Sequence, residues 1–253
     1  DKAAFRPAAG NRFYLEVLDL SSTWMEARLN GYEVMTAIST GTGLFPTASY
    51  NDLRTTNDGA PGAARPWIVV ADDRTVYFFA DTTALMAYNG FMFGDIFSYV
   101  ASDGYRTGLF GGMIPGGGGQ STLSALVTTM GASTSTHLMA RNYLGTGAAI
   151  AVGKHGDAVK GPGTVQIGIL PYPNPSDSKI WLSPIYIHET AQPTPRGKMR
   201  GFWHWLHPAA GVADGDTFPG AGALAGKTFM IIKFDYQGTG VFVIETSSTW
   251  DTN

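Results

Sequence analysis

Residues 67–80 read Trp67-Ile-Val-Val-Ala-Asp-Asp-Arg-Thr-Val-Tyr-Phe-Phe-Ala80. Two runs of β-branched and aromatic residues flank a short polar segment, and such residues favour the pleated, half-buried surface of a strand. The aspartates within Asp72–Arg74 can accept hydrogen bonds from the nearby backbone and tolerate left-handed geometry. This stretch therefore predicts an antiparallel hairpin with its turn at Asp72–Arg74.

The same residue types recur along the chain between Gly, Pro, Asn and Asp residues. A second hairpin is expected where Gln237–Gly240 joins Phe229–Asp235 to Val241–Thr246. Helical patterns are weak, with candidates at Ser121–Met130 and Thr82–Tyr88. The predicted fold class is all-β, antiparallel and sandwich-like or barrel-like, with long Gly/Pro-rich loops. In the hairpin at residues 67–80 the predicted strands are Trp67–Ala71 and Thr75–Ala80. The other predicted strands are Arg12–Leu18, Trp24–Leu29, Tyr32–Ile38, Met92–Tyr99, Thr107–Phe110, His137–Tyr143, Ala149–Val152, Thr164–Leu170, Lys179–Ile187 and Gly201–Trp205.

Segments rich in Gly and Pro interrupt these strands. Ser39–Arg65 is predicted to be a long loop, and Pro171–Ser178 and Gln192–Gly197 to be proline-stiffened connections. The four glycines of Pro115–Gln120 give the backbone maximal freedom. We treat residues 1–253 as a single β-rich domain, with a subdomain joint near 115–120 as the alternative. Ser39–Arg65 and Pro115–Gln120 are expected to become ordered only against neighbouring subunits, because such loops bury too little apolar area to offset their ordering entropy.

The composition excludes several classes of function. The chain has 17 Lys and Arg against 20 Asp and Glu, a formal charge of −3, so it lacks the basic excess typical of nucleic-acid-binding domains. It contains no cysteine, which excludes disulfides, thiolate zinc sites and cysteine nucleophiles. No apolar run is long enough for a membrane-spanning helix. Neither nucleic acid nor a membrane is an expected partner.

Arg200–Pro208 carries the densest cluster of unusual side chains. His204 and His207 are three positions apart, and neutral imidazoles can ligate a divalent metal ion. Positions i and i+3 of a strand point to opposite faces, however, and no third ligand follows at a recognisable spacing. Ordinary packing is favoured over a metal site, with an interaction surface as the remaining alternative. The candidate interaction residues are Trp203, Trp205, His204, His207 and Tyr172.

Motifs for catalysis are missing from the sequence. There is no Gly-x-Ser-x-Gly nucleophile elbow, and the adjacent acids Asp72 and Asp73 are interpreted as turn formers rather than as a catalytic carboxylate pair. The glycine motifs Gly41–Gly43 and Gly116–Gly119 lack the Lys-Ser/Thr that completes a phosphate-binding loop. We therefore expect no enzymatic activity, no catalytic residue, no cofactor and no metal.

Aromatic residues are abundant, with 6 Trp, 11 Tyr and 14 Phe. On a β scaffold they can form a sugar-stacking platform, for which exposed Trp203, Trp205 or Tyr172 are the candidates. Aromatic residues also fill sandwich cores and subunit interfaces. The few charges, the many aromatics and the long loops together favour extensive protein–protein burial.

Several stretches resemble a group of tailed-bacteriophage virion structural proteins. They touch most of the chain except the middle, Gly111–Thr136, and carry no catalytic signature. The stretches are Arg12–Val17, Ala27–Thr36, Thr40–Thr47, Ala64–Phe79, Phe93–Tyr99 and Gly222–Lys233.

This resemblance implies a non-enzymatic component of a virus particle, located in the virion. Members of the group are often longer, with a small β domain ahead of the region seen here. The implied partners are other virion proteins and further copies of the chain, and a host-surface glycan is the rival partner. We favour a tail-associated position over capsid decoration, because long loops can adapt to differently shaped neighbours.

Overall fold

The computed structural model is all-β in the residues it describes. These are residues 2–5, 13–19, 26–43, 51–54, 67–81, 88–111, 137–146, 150–155, 182–189, 194–205, 213, 215–233, 241–247 and 250. The strands are β1 (Lys2–Phe5), β2 (Tyr14–Asp19), β3 (Glu26–Tyr32), β4 (Val34–Ala37), β5 (Thr40–Thr42), β6 (Asn51–Arg54), β7 (Trp67–Ala71), β8 (Thr75–Asp81), β9 (Tyr88–Asp95), β10 (Phe97–Ser98), β11 (Thr107–Gly111), β12 (His137–Met139), β13 (Ile150–His155), β14 (Leu182–Glu189), β15 (Gly197–Trp205), β16 (Thr217–Pro219), β17 (Thr228–Lys233) and β18 (Val241–Glu245). A single 3₁₀ turn, Gly222–Leu224, is the helical element of this part of the chain.

Most strands belong to one long antiparallel sheet with the order β16-β17-β18-β15-β14-β13-β12-β11-β9-β8-β7. The short strand β10 follows β9 after one residue and pairs with β15, with Phe97 opposite Lys198. The chain link from β9 to β10 therefore returns to β15, and the strands from β9 to β15 form a closed ring. The pairs β8/β7 and β17/β16 extend outwards from the closed part. This arrangement confirms the predicted antiparallel, barrel-like or sandwich-like class.

A smaller sheet with the order β1-β2-β3-β6 covers one face of the long sheet. Phe91 and Phe93 on β9 pack against Leu15 and Leu29 from β2 and β3 in one buried cluster. Met92 lies between them in sequence and points to the opposite face, into the main core. Because successive side chains of a strand alternate between faces, β9 contributes side chains to two separate buried clusters.

The main core lies between β8 and β15. Phe202 of β15 stacks on Tyr77 and Phe242, with ring centroids 5.2 Å apart in both pairs. Tyr77 also donates a hydrogen bond from its hydroxyl to the Arg200 carbonyl at 2.7 Å, and burial raises the pKa of this phenol well above its ordinary value. Gly201 has φ +60°, and a Cβ there would stand 2.7 Å from the Trp250 ring. Glycine is therefore required where β15 passes this indole.

The predicted hairpin at residues 67–80 is confirmed. Strands β7 and β8 pair with Trp67 opposite Ala80, and the Asp72 carboxylate accepts hydrogen bonds from the backbone N–H groups of Arg74 and Thr75 at 2.9 and 2.8 Å. The strands of the predicted C-terminal hairpin also pair, as β17 and β18, with Ile231 opposite Val243. Its connection at residues 237–240 lies outside the described residues.

The predicted long loop at Ser39–Arg65 is partly wrong. It contains β5, which pairs with β4, and β6, which pairs with β3 from Leu29 opposite Asn51 to Glu26 opposite Arg54. The residues of β6 have weak strand propensity. It forms a strand because its backbone hydrogen-bonds to the edge of β3. The predicted strand Thr164–Leu170, the helix candidate Ser121–Met130 and the glycine tract at 115–120 lie outside the described residues.

Truncating the central aromatic ring tests this core. We expect Phe202→Ala to lower the free energy of unfolding by about 3–5 kcal/mol, because the lost ring leaves a cavity among three stacked aromatics. Urea unfolding followed by tryptophan fluorescence measures the loss. Val34→Ala, at an exposed position of β4, is the control and should stay within about 0.5 kcal/mol of the wild type. Equal losses in the two variants would contradict this assignment of the core.

Candidate protein-binding surface

The sequence-predicted interaction residues do not form an exposed aromatic platform in the described part of the chain. Trp203 is only 8% exposed and packs edge-on against Phe229. Its predicted exposure is therefore wrong, because the alternation along β15 turns Trp203 towards β17 and β18. Its Nε1 is buried without a hydrogen-bond acceptor among the described residues, and the Lys198 ammonium lies 5.4 Å from its ring centre.

The other predicted site residues are less fully defined. His204 and Trp205 lie on β15, where their backbones pair with Ser183 and Leu182. The structure describes the backbone of these two residues but not their side chains. His207 and Tyr172 lie wholly outside the described residues, so their roles stay predictions. Within the described portion no cluster of three or more histidine or carboxylate side chains is arranged to hold a metal ion.

A buried arginine that the sequence did not single out fixes a cluster of loops. Arg196 donates two hydrogen bonds to the Asp103 carboxylate at 2.9 Å and one to Glu189 at 2.9 Å. It also donates to the backbone carbonyls of Arg141 and Tyr105, both at 2.7 Å. We call the segments held in this way, Ser98–Arg106 and Arg141–Thr146, the pinned loops.

The charge of Arg196 compensates for the burial of its partners. Burial alone would raise the pKa of Asp103, but the hydrogen bonds and the positive charge of Arg196, with help from Ser98 and the Tyr105 N–H, hold that pKa below its ordinary value. A second pair, Arg141 with Glu33 at 2.6 Å, ties the pinned loops to the residue between β3 and β4. The loops present exposed apolar side chains at Tyr99, Tyr143 and Leu144, of which Leu144 is 67% exposed.

The β7 edge is the second exposed apolar surface. We use this name for the outer edge of β7, formed by Trp67, Val69 and Ala71. Trp67 is 65% and Val69 46% exposed. The N–H of Asp72 donates to the Thr75 carbonyl at 3.0 Å, and hydrogen-bonded positions alternate along an antiparallel pair. The backbone groups of Trp67, Val69 and Ala71 therefore point away from β8, to the outside of the sheet.

The outer strands of the four-stranded sheet and the opposite end of the long sheet carry protective features. The sequence of β1 contains Lys2, and that of β6 contains Asp52 and Arg54. The opposite end of the long sheet, β16, has three residues and ends in Pro219. Charges, proline and short length all discourage pairing with another chain.

The β7 edge has none of these features. It is five residues long, regular and uncharged, and the half-buried Phe78 and Val76 continue its apolar face on β8. The sequence predicted this strand, but a sequence does not show which strand ends a sheet.

The β7 edge is held rigidly to the core through its turn. Arg200 on β15 donates to both carboxylate oxygens of Asp72, at 3.1 and 2.6 Å, and to the Thr75 hydroxyl at 2.9 Å. A rigid edge loses little conformational freedom when a partner binds, which favours its use as an interface.

A polar cleft lies beside this turn. It has a volume of about 280 Å³ and is lined in part by Arg74, Arg106, Arg200 and Asp95. Burial raises the pKa of Asp95 even though Thr107 and Arg106 donate hydrogen bonds to it. Arg106 binds Asp95 at 2.8 Å and Arg200 binds Asp72, so these charges neutralise one another within the chain. The arrangement is that of a structural ion-pair network.

Comparisons with known proteins add no family assignment. No protein-family model matches the chain, and no curated protein is significantly similar to it. Among the described residues, no helix is long and apolar enough to cross a membrane.

Removing the buried arginine tests the pinned loops. We expect Arg196→Met to lower the free energy of unfolding by about 3–5 kcal/mol, because Asp103 and Glu189 would remain buried without their cation. Arg141→Met is the matched control, since it removes an arginine whose pair with Glu33 is partly exposed and screened by solvent, and its cost should be clearly smaller than that of Arg196→Met. Urea titrations of both variants decide the comparison, and equal costs would contradict the role of Arg196.

The same variant has an expected pH dependence. In the wild type the pKa of Asp103 is below its unfolded value, so its stabilising contribution is full above about pH 4 and is lost as pH falls through the folded pKa. In Arg196→Met the charge and hydrogen bonds of Arg196 are lost, and only those from Ser98 and the Tyr105 N–H still oppose burial. The pKa of Asp103 is therefore higher in the variant than in the wild type, and protonation at low pH costs the variant less. The stability gap between wild type and variant should therefore shrink from pH 7 to below about pH 4. A gap that stays constant in urea titrations across this range would contradict the assignment.

Proposed function

We propose that this chain is a non-enzymatic structural protein of a tailed-bacteriophage particle, associated with the tail, that works through protein–protein contacts. The observation that carries the proposal is the β7 edge. Among the described residues, the outward backbone groups of this uncharged, regular strand have no partner, and Trp67 and Val69 beside them are exposed. Such an edge favours pairing with another strand. The resemblance of Ala64–Phe79, which contains this strand, to virion proteins supports the same assignment.

The pinned loops support an assembly role from a second direction. Tyr99, Tyr143 and Leu144 stand exposed on a base that Arg196 fixes in place. Aromatic and large apolar side chains on a rigid base are typical of interface anchors. Two separate apolar surfaces suit a component that contacts more than one neighbour in a particle.

The polar chemistry of the described residues also favours a structural role. Arg196, Arg200 and Lys227 are engaged with carboxylates of their own chain. In the polar cleft beside the β7 turn, Arg106 and Arg200 are likewise paired with Asp95 and Asp72. A catalytic site, in contrast, directs its polar groups at a substrate. The charged groups here stabilise the fold, and the apolar groups are left for binding.

Particle composition tests this proposal. Particles purified from the virus that encodes this chain should contain it at a fixed copy number, which quantitative mass spectrometry with labelled peptides measures. A tail-associated position predicts a copy number of about three, six or twelve, because a component adopts the symmetry of its site. Hundreds of copies would contradict the tail tip or neck and support capsid decoration or the tail tube.

Two further results would overturn the proposal itself. The first is the absence of the chain from purified particles. The second is saturable glycan binding by the purified chain, lost in Trp67→Ala with folding intact, which would favour host recognition over a structural role. Circular dichroism of Trp67→Ala provides the folding control.

A further inference from the structure

We propose that the β7 edge pairs with β7 of a second copy of this chain, antiparallel and across a two-fold axis through Val69. The inference deepens the proposed function, on which it rests, by naming the partner at this edge. In such a pair Val69 lies opposite Val69 of the other copy, and Trp67 lies opposite Ala71. The long sheet then continues from one copy into the next.

The backbone geometry of β7 suits this arrangement. The N–H and C=O groups of Trp67, Val69 and Ala71 all point outwards, as the hydrogen bond from Asp72 to Thr75 requires. An axis through Val69 places each outward residue opposite another outward residue. The pair then forms about six backbone hydrogen bonds, two for each pair of facing residues.

The side chains of β7 are complementary to their own antiparallel copy. The outward residues decrease in size from Trp67 through Val69 to Ala71. An antiparallel neighbour sets the large indole beside the small alanine at both ends, and the two valines meet in the middle. Facing positions on one side of an antiparallel pair contact each other directly, so this order of sizes avoids both a clash and a gap.

Charges on the flanks of β7 favour the same partner. In the sequence, Arg65 precedes the strand by two positions and the exposed Asp73 follows it by two. An antiparallel copy reverses this order of the sequence, so the end of β7 that follows Arg65 in one copy meets the end that precedes Asp73 in the other. A parallel copy would place like charges together, which opposes that orientation.

Self-association of the purified full-length chain tests the inference. Sedimentation equilibrium should show a monomer–dimer equilibrium for the wild type. Val69→Lys should weaken the dimer at least tenfold, because two ammonium groups would face each other at the axis. The matched control is Val34→Lys, at an exposed valine of another edge strand (52% exposed, against 46% for Val69), which should dimerise like the wild type. A monomeric wild type, or equal weakening by both substitutions, would overturn the inference.

A second measurement locates the axis and does not depend on a loss of binding. Because the chain contains no cysteine, Val69→Cys introduces a single thiol that can be labelled with pyrene maleimide. Labels on facing residues should give excimer fluorescence that disappears on dilution, while Val34→Cys should give monomer emission only. A Val69→Cys dimer without excimer emission would overturn the two-fold pairing.

These outcomes are separable from those of the proposed function. Particles that contain the chain, together with a purified chain that fails to dimerise through β7, would leave the structural role standing and refute the homotypic edge. A chain that dimerises through β7 but is absent from particles would refute the virion role and retain the pairing.

Discussion

The architecture of this protein depends on one constraint: the backbone of each β-strand needs hydrogen-bond partners along both of its edges. A β-strand exposes a row of N–H and C=O groups along each edge. Unpaired groups destabilise the folded state when they are buried, and they can hydrogen-bond to a strand of another chain when they are exposed. Between β9 and β15 the chain meets this demand by closure, since β10 hydrogen-bonds to β15 and returns the path to its start. At β16 it is met by shortness and Pro219. At β7, the other end of the long sheet, it is not met within the described chain, and the functional reasoning follows from that strand.

Two buried arginines convert the folded sheet into a rigid support for its surfaces. Arg196 joins Asp103 and Glu189, and Arg200 joins the turn after β7 to β15. A buried ion pair contributes little net stability compared with an apolar replacement, but losing one partner is strongly destabilising. These arginines therefore act mainly by fixing the positions of distant segments. Any other arrangement of those segments would leave a buried charge without its partner, which raises the free energy of the folded state. As a result, the exposed apolar residues project from loops held by Arg196 and from a strand whose turn is held by Arg200.

Local features of the fold were predictable from the sequence, while features that depend on distant partners were not. The hairpin at residues 67–80 follows from residue types and a turn that lie within one short stretch. Strand β6 was missed because the edge of β3, rather than its own residues, makes it a strand. Trp203 was expected at the surface, and only the alternation along β15 together with the positions of β17 and β18 buries it. Arg196 lies in a stretch interpreted as a proline-stiffened connection, and nothing near it in sequence indicates partners as far away as Asp103.

An edge like that of β7 carries a requirement for specificity as well as an opportunity for binding. Backbone hydrogen bonds are indifferent to sequence, so a bare edge accepts any strand, including those of unfolded or unrelated chains. Side chains must therefore supply the selection, and on β7 the gradient from Trp67 to Ala71 and the opposite charges of its flanks favour one orientation of one sequence. The Arg200 contact to Asp72 adds to this selection, since a rigid strand does not bend to improve a poor match. Specific pairing of this edge would also protect the chain, because a strand already paired is no longer a template for aggregation.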